Sequence, residues 1–340
     1  MDPVEVLTMP IRRRISRERR LAIYTQAPGR ADDLFIACAS FEPRCLGAVH
    51  SLTSSYAALV SSVFRFLPSA NDADGFEKAR DRHTAALMDA LTPRTQDGRP
   101  ELILCRRNHP SDGVDQLRAL IERRCSRPLR SITIDMSTFT KLYFLEVMNT
   151  LLDLPEHPHL RVLYSKASVF PRKDLTVGAS DPIVLPRYLG QYSPSRRTAL
   201  LGFVGFEPER AIRIFEEYEP DSADVFVTES DNPSYNERAR RTNQYLLTRP
   251  GVHKWFVPAY DLRAAVGALE KARDTRSKEC GGDVNLVLMS LGTKVHNLAV
   301  GLFCRRHVEA RLAYAFAGAY QSSTDRPAGE TLTFEVPEGA

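Results

Sequence analysis

The sequence predicts an α/β protein built from two tandem, duplicated Rossmann-like domains with mainly parallel sheets. The first observation behind this prediction is an internal repeat, because four short motifs occur twice in the same order. The separation of the copies drifts from 165 residues for the first pair to 150 residues for the last, as small deletions in a duplicated domain would produce. The second observation is an alternation of apolar runs with segments of helical spacing, which indicates βαβ units.

The repeated motifs have the spacing of a domain, so they are not units of a short-repeat solenoid. The matched segments are 35–45 with 200–210, 76–82 with 235–241, 132–141 with 285–294, and 161–167 with 311–317. The chain then divides into a basic N-terminal arm (1–32), a first Rossmann-like repeat (33–170), a linker (171–198), a second repeat (199–320) and a C-terminal tail (321–340). The linker is rich in proline, with one short strand expected around 183–185. The tail is predicted to be loose and polar.

Each half opens with an apolar run that ends in small residues, 34–40 and 199–205, as is typical of a strand buried on both faces. A Phe-Glu-Pro turn follows, and then helical spacing, which is clearest at Ala211, Ile214 and Tyr218. A later apolar run precedes a Ser/Thr loop and a second helix, and a final apolar run closes each half. This order of elements predicts a doubly wound sheet.

The composition is that of a soluble protein with buried cores, at 43% hydrophobic and 26% charged residues in 340. No apolar run approaches the roughly 20 residues of a membrane span and no secretory signal is visible, so we expect a cytoplasmic protein without a membrane partner. Six irregularly spaced cysteines indicate reduced thiols, and no metal or other cofactor is expected. A net charge of +4 mildly favours an anionic partner. The arginine-rich segment 11–20 is either a nucleic-acid-binding arm or a solvated tail.

Two loops with the same Ser-x-x-Thr-Lys pattern precede a helix in each half, at 137–141 and 290–294. Ligands of open α/β sheets bind at the carboxyl ends of the strands. A helix N-terminus there offers free N–H groups, hydroxyls add donors and lysine adds charge. The pattern therefore predicts a site for phosphate or another anion, with an ordinary Ser/Thr helix cap as the alternative. It matches neither the P-loop nor the GxGxxG fingerprint, which disfavours ATP hydrolysis and NAD chemistry.

The Phe-Glu-Pro turns place Glu42 and Glu207 at the ends of the first strands, with Arg44 and Arg210 close by. Each glutamate could accept hydrogen bonds from a ribose or a base, or could form a salt bridge with the neighbouring arginine and hold the turn. The residues alone leave both interpretations open.

If either half is catalytic, the candidates are Asp135, Ser137 and Lys141 of the first half. Asp135 is not repeated, because Leu288 stands in its place, and a structural aspartate at a strand end is the simpler interpretation. No GxSxG elbow and no zinc-type cysteine–histidine spacing accompanies it. A binding protein is therefore expected more than an enzyme.

The second repeated motif places several arginines on predicted helices, where a solvated face is the expected role. They are Arg80, Arg82, Arg240 and Arg241. The polar stretch 228–241, which leads into the second copy, resembles a mobile loop that covers a site.

The sequence IDMSTFTK at 134–141 resembles the loop of CARF domains from CRISPR-linked proteins, in which an Asp-Ile-Thr-Gly-Gly-Thr-Lys type sequence precedes a helix. Two such domains in one chain are similar to the SAVED sensor of bacterial anti-phage systems. The strand-end loops of both families bind a cyclic oligonucleotide second messenger. The resemblance therefore implies a nucleotide-sensing or regulatory subunit of prokaryotic antiviral defence, acting with a separate effector protein.

The resemblance implies that the hydroxyl loops and the first-strand ends contact the ligand, and the Phe-Glu-Pro turns add their glutamates and arginines as candidates. The predicted contacts are Ser40, Glu42, Arg44, Ser137, Thr138, Thr140, Lys141, Gly205, Glu207, Arg210, Ser290, Gly292, Thr293 and Lys294. A shared ligand requires the carboxyl edges of both sheets to face one groove. Two alternatives remain: a metal-independent phosphodiesterase that cleaves the messenger, as some CARF domains do, and a scaffold subunit with vestigial pockets.

Overall fold

The structure, a computed structural model, describes residues 23–24, 31–68, 76–96, 98–125, 127–168, 176–320 and 328–336. The arginine-rich stretch 11–20 lies outside these residues, so its interpretation as a nucleic-acid-binding arm stays a prediction. None of the helices in the described ranges has both the length and the apolar character needed to cross a membrane.

The first half alternates strands and helices as its apolar runs predict. Its strands are β1 (Ile23–Tyr24), β2 (Asp32–Ala39), β3 (Ala58–Phe66), β4 (Glu101–Cys105), β5 (Ser131–Asp135) and β6 (His159–Ala167). Its helices are α1 (Gly47–Ser51), α2 (Phe76–Leu91), α3 (Pro110–Arg124) and α4 (Lys141–Leu152).

The second half repeats this alternation and adds short strands at its borders. The strands are β7 (Thr176–Ala179), β8 (Ile183–Val184), β9 (Thr198–Val204), β10 (Ser222–Glu229), β11 (Val252–Pro258), β12 (Asn285–Ser290), β13 (Arg311–Tyr314), β14 (Ala317–Tyr320) and β15 (Ala328–Val336). The helices are α5 (Pro208–Tyr218), α6 (Pro233–Thr242), α7 (Gln244–Leu247), α8 (Leu262–Glu279) and α9 (Lys294–Arg306).

The two large sheets have the same order of parallel strands. The first runs β1-β15-β6-β5-β2-β3-β4 and the second runs β8-β13-β12-β9-β10-β11. In each, five neighbouring strands are parallel and an antiparallel strand, β15 or β8, pairs beyond the last of them. The first sheet has a seventh strand, the short β1, which pairs antiparallel with β15. Counted within each half, the parallel strands lie in the order 3-2-1-4-5. This order confirms the predicted fold class and agrees with a duplication.

Both sheets wind in two directions from their first strand, and this fixes where a site can form. The order in which strands are added to the sheet reverses between β2 and β5 in the first sheet and between β9 and β12 in the second. Loops diverge at such switch points and leave a crevice at the carboxyl edge of the strands. The central strand β2 is buried along its whole length, and over 34–39 its side chains are apolar on both faces, as a position inside the sheet requires.

Helices α4 and α9 join the two halves. Near their first residues, the Asn297 amide donates to the Lys141 carbonyl at 3.0 Å. Near their last residues, Arg305 donates to Asp153 at 2.7 Å. Since starts meet starts and ends meet ends, the helices run side by side in the same direction. Buried residues of both helices belong to one apolar core that extends across the two halves, so the halves are held together by packing as well as by the chain.

The linker and the tail compare differently with the prediction. The short strand expected near 183–185 is present as β8. The prediction of a loose tail, in contrast, is wrong over 328–336, because β15 pairs along the length of β6. The reason is an alternation of Leu332, Phe334 and Val336, all buried, with polar residues between them. A period-two alternation over so few residues is a weak signal for a strand, and the polar residues around it favoured the prediction of a loose tail.

Candidate functional site

The carboxyl edges of both sheets face one common groove, as a shared ligand requires. Its walls come from the ends of the strands and the loops after them in each half, and its volume is about 280 Å³. That is near the lower end of the roughly 300–1,000 Å³ of small-molecule sites. The two halves therefore form one cavity, and it lies at the topological switch point of each sheet.

All but two of the predicted contact residues line this groove. They are Ser40, Glu42, Arg44, Thr138, Thr140, Lys141, Gly205, Glu207, Arg210, Gly292, Thr293 and Lys294. The close approach of the loops explains one glycine, since a Cβ at Gly205 would lie 2.9 Å from the Leu291 carbonyl oxygen. Whether these residues bind a ligand remains a prediction.

The two exceptions, Ser137 and Ser290, are buried and hold the loops from behind. Ser137 donates to the Asp135 carboxylate and accepts from the Ser165 backbone N–H at 2.7 Å. Ser290 donates to Asn297 at 2.9 Å, the residue that also bonds α4. The repeated serine is therefore explained by loop support, and the predicted direct contact does not fit the side-chain positions.

The repeated threonines cap the helices, so the alternative interpretation of the motif is present in both copies. Thr140 accepts from the Tyr143 N–H at 3.3 Å, and Thr293 accepts from the His296 N–H at 3.2 Å. Capping uses one donor of each helix N-terminus and leaves the dipole in place. Since α4 and α9 run parallel, both N-termini point into the groove.

The two lysines reach across the boundary between the halves. Lys294 donates to the Phe139 carbonyl at 2.6 Å, and the Lys141 amine lies 3.6 Å from Glu207. Burial and, next, the charge of Arg44 lower the pKa of Lys294 to about 7. Burial likewise lowers the pKa of Lys141 to about 8, although Glu207 opposes the shift. In both lysines the charged form of the amine is disfavoured, and a bound anion would stabilise that charged form.

The Phe-Glu-Pro turn of the first half contains the salt bridge that was one of its two interpretations. Arg44 donates to Glu42 at 2.6 Å and lies close to Tyr164 of β6. The pair still lines the groove. The glutamate is therefore a structural partner of arginine, and the guanidinium is held in position at the wall.

The second turn repeats this arrangement. Arg210 donates to Glu207 at 2.7 Å and to the Ala315 carbonyl at 2.6 Å, and its guanidinium lies 5.0 Å from the ring centroid of Tyr314. Tyr314 is the counterpart of the first half's tyrosine in the fourth repeated motif. A Glu–Arg–Tyr cluster thus recurs at the same sheet edge in both halves.

Asp135 lies below the groove and does not line it. Both the N–H and the hydroxyl of Ser137 donate to one carboxylate oxygen, and the other has no hydrogen-bond partner among the described residues. Burial raises its pKa to about 6. Of the three catalytic candidates, only Lys141 is in the groove, and the structural interpretation of Asp135 fits its position.

Replacing this aspartate tests that interpretation. A carboxyl group whose pKa is raised on folding binds its proton more tightly in the folded state, so the folded protein loses stability as the pH rises toward 6. The pKa of about 6 lies one unit above pH 5, and one unit is worth about 1.4 kcal/mol. We expect Asp135→Asn to gain roughly that much stability relative to the unmodified protein between pH 5 and pH 7.5. Urea unfolding at both pH values measures this, and a difference that does not change with pH would contradict it.

The residues that sequence reasoning missed are mostly aromatic. Phe41, Phe206, Tyr235 and Tyr260 all line the groove. Phe41 and Phe206 belong to the repeated turns, so the repeat itself carried a signal for them. Tyr260 follows β11 and has no repeated motif that would have marked it.

Two interpretations of the polar segments need revision. Arg80 is buried, with an exposed fraction of 2%, and lines the groove; it is not part of a solvated face. The polar stretch 228–241 predicts a loop over a site, but 233–242 is helix α6. This helix lines the groove through Tyr235, Asn236 and Arg238.

The groove combines cations and aromatic rings in a way that suits a phosphate-bearing ligand with a planar part. Phosphates are bound by lysine, arginine and helix N-termini, and bases stack on aromatic rings. Within the described ranges, no cluster of His, Cys, Asp or Glu residues could hold a metal ion.

Comparison with known proteins adds no family to this description. No protein-family model matches the chain, and no curated protein matches it in sequence.

Proposed function

We propose that the chain binds a cyclic oligonucleotide, or a similar polyanion with planar bases, in the groove between its two CARF-like halves. The observation that carries the proposal is the convergence of two repeated loops. Each presents a helix N-terminus and a half-buried lysine to the same cavity. Arg44 and Arg210 add guanidinium groups at the wall, each held by its paired glutamate, and the aromatic rings supply surfaces on which bases stack.

The resemblance to CARF and SAVED sensors supports a regulatory role in prokaryotic antiviral defence, with a separate effector protein as partner and a cytoplasmic location. Ligand binding would act on the relative position of the halves, because both helix N-termini meet at the ligand. The α4–α9 pair continues from there into the shared core. A rearrangement of this pair is the change that an effector would recognise.

Calorimetry with a panel of cyclic di-, tri- and larger oligonucleotides is the direct test. We expect one member to bind with a stoichiometry of one per chain, because both halves contribute to a single groove. Folded protein that binds no member of the panel would refute the proposal.

The pH dependence of binding follows from the lysines. An anion restores the pKa of each amine toward its ordinary value, so binding takes up protons and is tightest where the amines are already charged. With free-state pKa values of about 7 for Lys294 and about 8 for Lys141, we expect affinity to fall on the order of 1,000-fold between pH 6.5 and pH 9, because Lys294 loses its proton over two pH units and Lys141 over one. Calorimetry in buffers of different ionisation enthalpy measures the proton uptake. An affinity that stays constant over this range would show that the lysines do not contact the anion.

A phosphodiesterase is the second candidate, and the same lysines favour it. An amine with a pKa near neutrality can stabilise developing phosphate charge or transfer a proton in the active range of pH. Incubation of labelled cyclic oligonucleotides with the protein, followed by chromatography, separates the two functions. Intact ligand after long exposure supports binding alone.

The scaffold alternative predicts a different pattern. If both pockets were vestigial, deletion of residues 1–20 would abolish complex formation or nucleic-acid retention. Single replacements of Lys141 and Lys294 by alanine would then leave function unchanged.

A further inference from the structure

The duplicated turns differ at one point, and the difference concerns where a base can lie. Phe41 of the first turn stacks face to face on Phe76, with ring centroids 3.9 Å apart and planes at 1°. Phe76 is the first residue of α2 and is fully buried. The Phe76 ring therefore covers one face of Phe41 permanently, because moving Phe76 away would expose core surface to water.

Phe206, the counterpart of Phe41, has a different cover. The ring of Tyr235 packs edge to face against Phe206, with ring centroids 6.4 Å apart and planes at 69°. The guanidinium of Arg238 lies over its face, 4.7 Å from the ring centroid. An arginine side chain is long and rotatable, and its planar head stacks on a base as well as on a ring. Phe206 thus has a cover that can move outward and then close on an inserted base.

The helix that carries this cover is held at its start by local hydrogen bonds. Asn232 caps α6 by accepting from the Ser234 N–H at 3.0 Å. The Asn236 side chain accepts from the Ser230 N–H and donates to the Ser230 carbonyl, both at 2.8 Å. Only Ala239 of α6 is buried, so its arginine side chains are not packed into the core. The first-half arginine Arg80 is different, because its side chain is buried, with an exposed fraction of 2%.

From this contrast we propose that the second half alone holds a nucleobase, sandwiched between Phe206 and Arg238, while the lysines of both halves hold phosphates. The inference rests on the proposed function and narrows it to an asymmetric ligand pose in one groove. A ligand of this chemistry carries at least one aromatic base beside two or more phosphate groups. Any further base of the ligand that lies beside the first half would not enter between Phe41 and Phe76, because these two rings are already stacked on each other.

The test compares a base-bearing probe with a base-free probe. Cyclic triadenylate and inorganic triphosphate are titrated by calorimetry into the unmodified protein, Phe206→Leu and Phe41→Leu, and the ratio of the two affinities is recorded for each. We expect Phe206→Leu to lower the ratio roughly 5- to 150-fold, the range for losing one base–aromatic stack. Phe41→Leu is expected to change the ratio less than twofold, and thermal unfolding verifies that both variants are folded.

A second measurement reports stacking directly. In cyclic triadenylate that carries one 2-aminopurine, we expect fluorescence quenching on binding, reduced in Phe206→Leu and in Arg238→Gln. An unchanged ratio in Phe206→Leu, or an equal loss in Phe41→Leu, would overturn the asymmetric pose while leaving polyanion binding intact. Failure of the folded, unmodified protein to bind either probe or any member of the cyclic oligonucleotide panel would instead overturn the proposed function, and this inference with it.

Discussion

Replacement of both groove lysines, Lys141→Met together with Lys294→Met, is expected to weaken binding of a cyclic oligonucleotide by roughly 30-fold or more. Each lysine offers a charge-assisted hydrogen bond to the anion, and losing one costs about 1–3 kcal/mol. Methionine keeps most of the side-chain volume, so the groove wall stays filled. Calorimetry at pH 6.5, where the free amines are most charged, gives the largest difference.

The matched control removes the same charge elsewhere. Lys271 and Lys278 are exposed on α8, and neither lines the groove. We expect Lys271→Met with Lys278→Met to bind within about twofold of the unmodified protein, since exposed charges at a distance are screened by salt. Equal losses in the two double variants would mean that overall charge, not the groove lysines, controls affinity.

Enlarging Gly301 is the second change with a large expected effect, because this residue lies where α4 and α9 touch. A Cβ at this position would lie 2.6 Å from Leu145 and 2.7 Å from Met148. Leucine would have to displace the ends of these two side chains or push the helices apart, and overpacking of this kind costs about 1–3 kcal/mol. We expect Gly301→Leu to lower the free energy of unfolding by that amount and to weaken ligand binding, because the helix N-termini no longer meet correctly.

Gly267 offers a control in another helix. It lies in α8, and a Cβ added there would have no neighbouring atom within 4 Å, so leucine meets open space. Gly267→Leu is expected to raise stability by about 0.5–1 kcal/mol through helix propensity and to leave binding unchanged. Urea unfolding and calorimetry measure both variants. Gly301→Leu with unchanged stability and affinity would show that the helix pair does not set the geometry of the groove.

The sequence was most informative where the same motif occurs in both halves. Repetition identified the strand ends and the two Lys loops, and topology then placed them together, since strand-to-helix loops of a doubly wound sheet emerge at one edge. The orientation of a hydroxyl within such a loop has no comparable signal. Ser137 and Thr138 are adjacent, yet one is buried behind the loop and the other lines the groove.

The rest depended on contacts between distant segments. The strand at 328–336 pairs with β6 of the first half, and its weak period-two pattern does not identify that partner. Arginine is usually solvated, so the sequence predicts an exposed face for Arg80, and only the packed structure shows its burial. The lowered pKa values of Lys141 and Lys294 depend on burial between the two halves. A single segment of sequence does not contain that information.

A crystal structure of the protein with the tightest binder from the cyclic oligonucleotide panel tests the central claim most directly. The account predicts one ligand per chain in the groove, with phosphate oxygens within hydrogen-bond distance of the amines of Lys141 and Lys294. Those phosphates should lie at the N-termini of α4 and α9. A ligand bound elsewhere on the surface, or one in the groove whose phosphates turn away from both lysines, would contradict it.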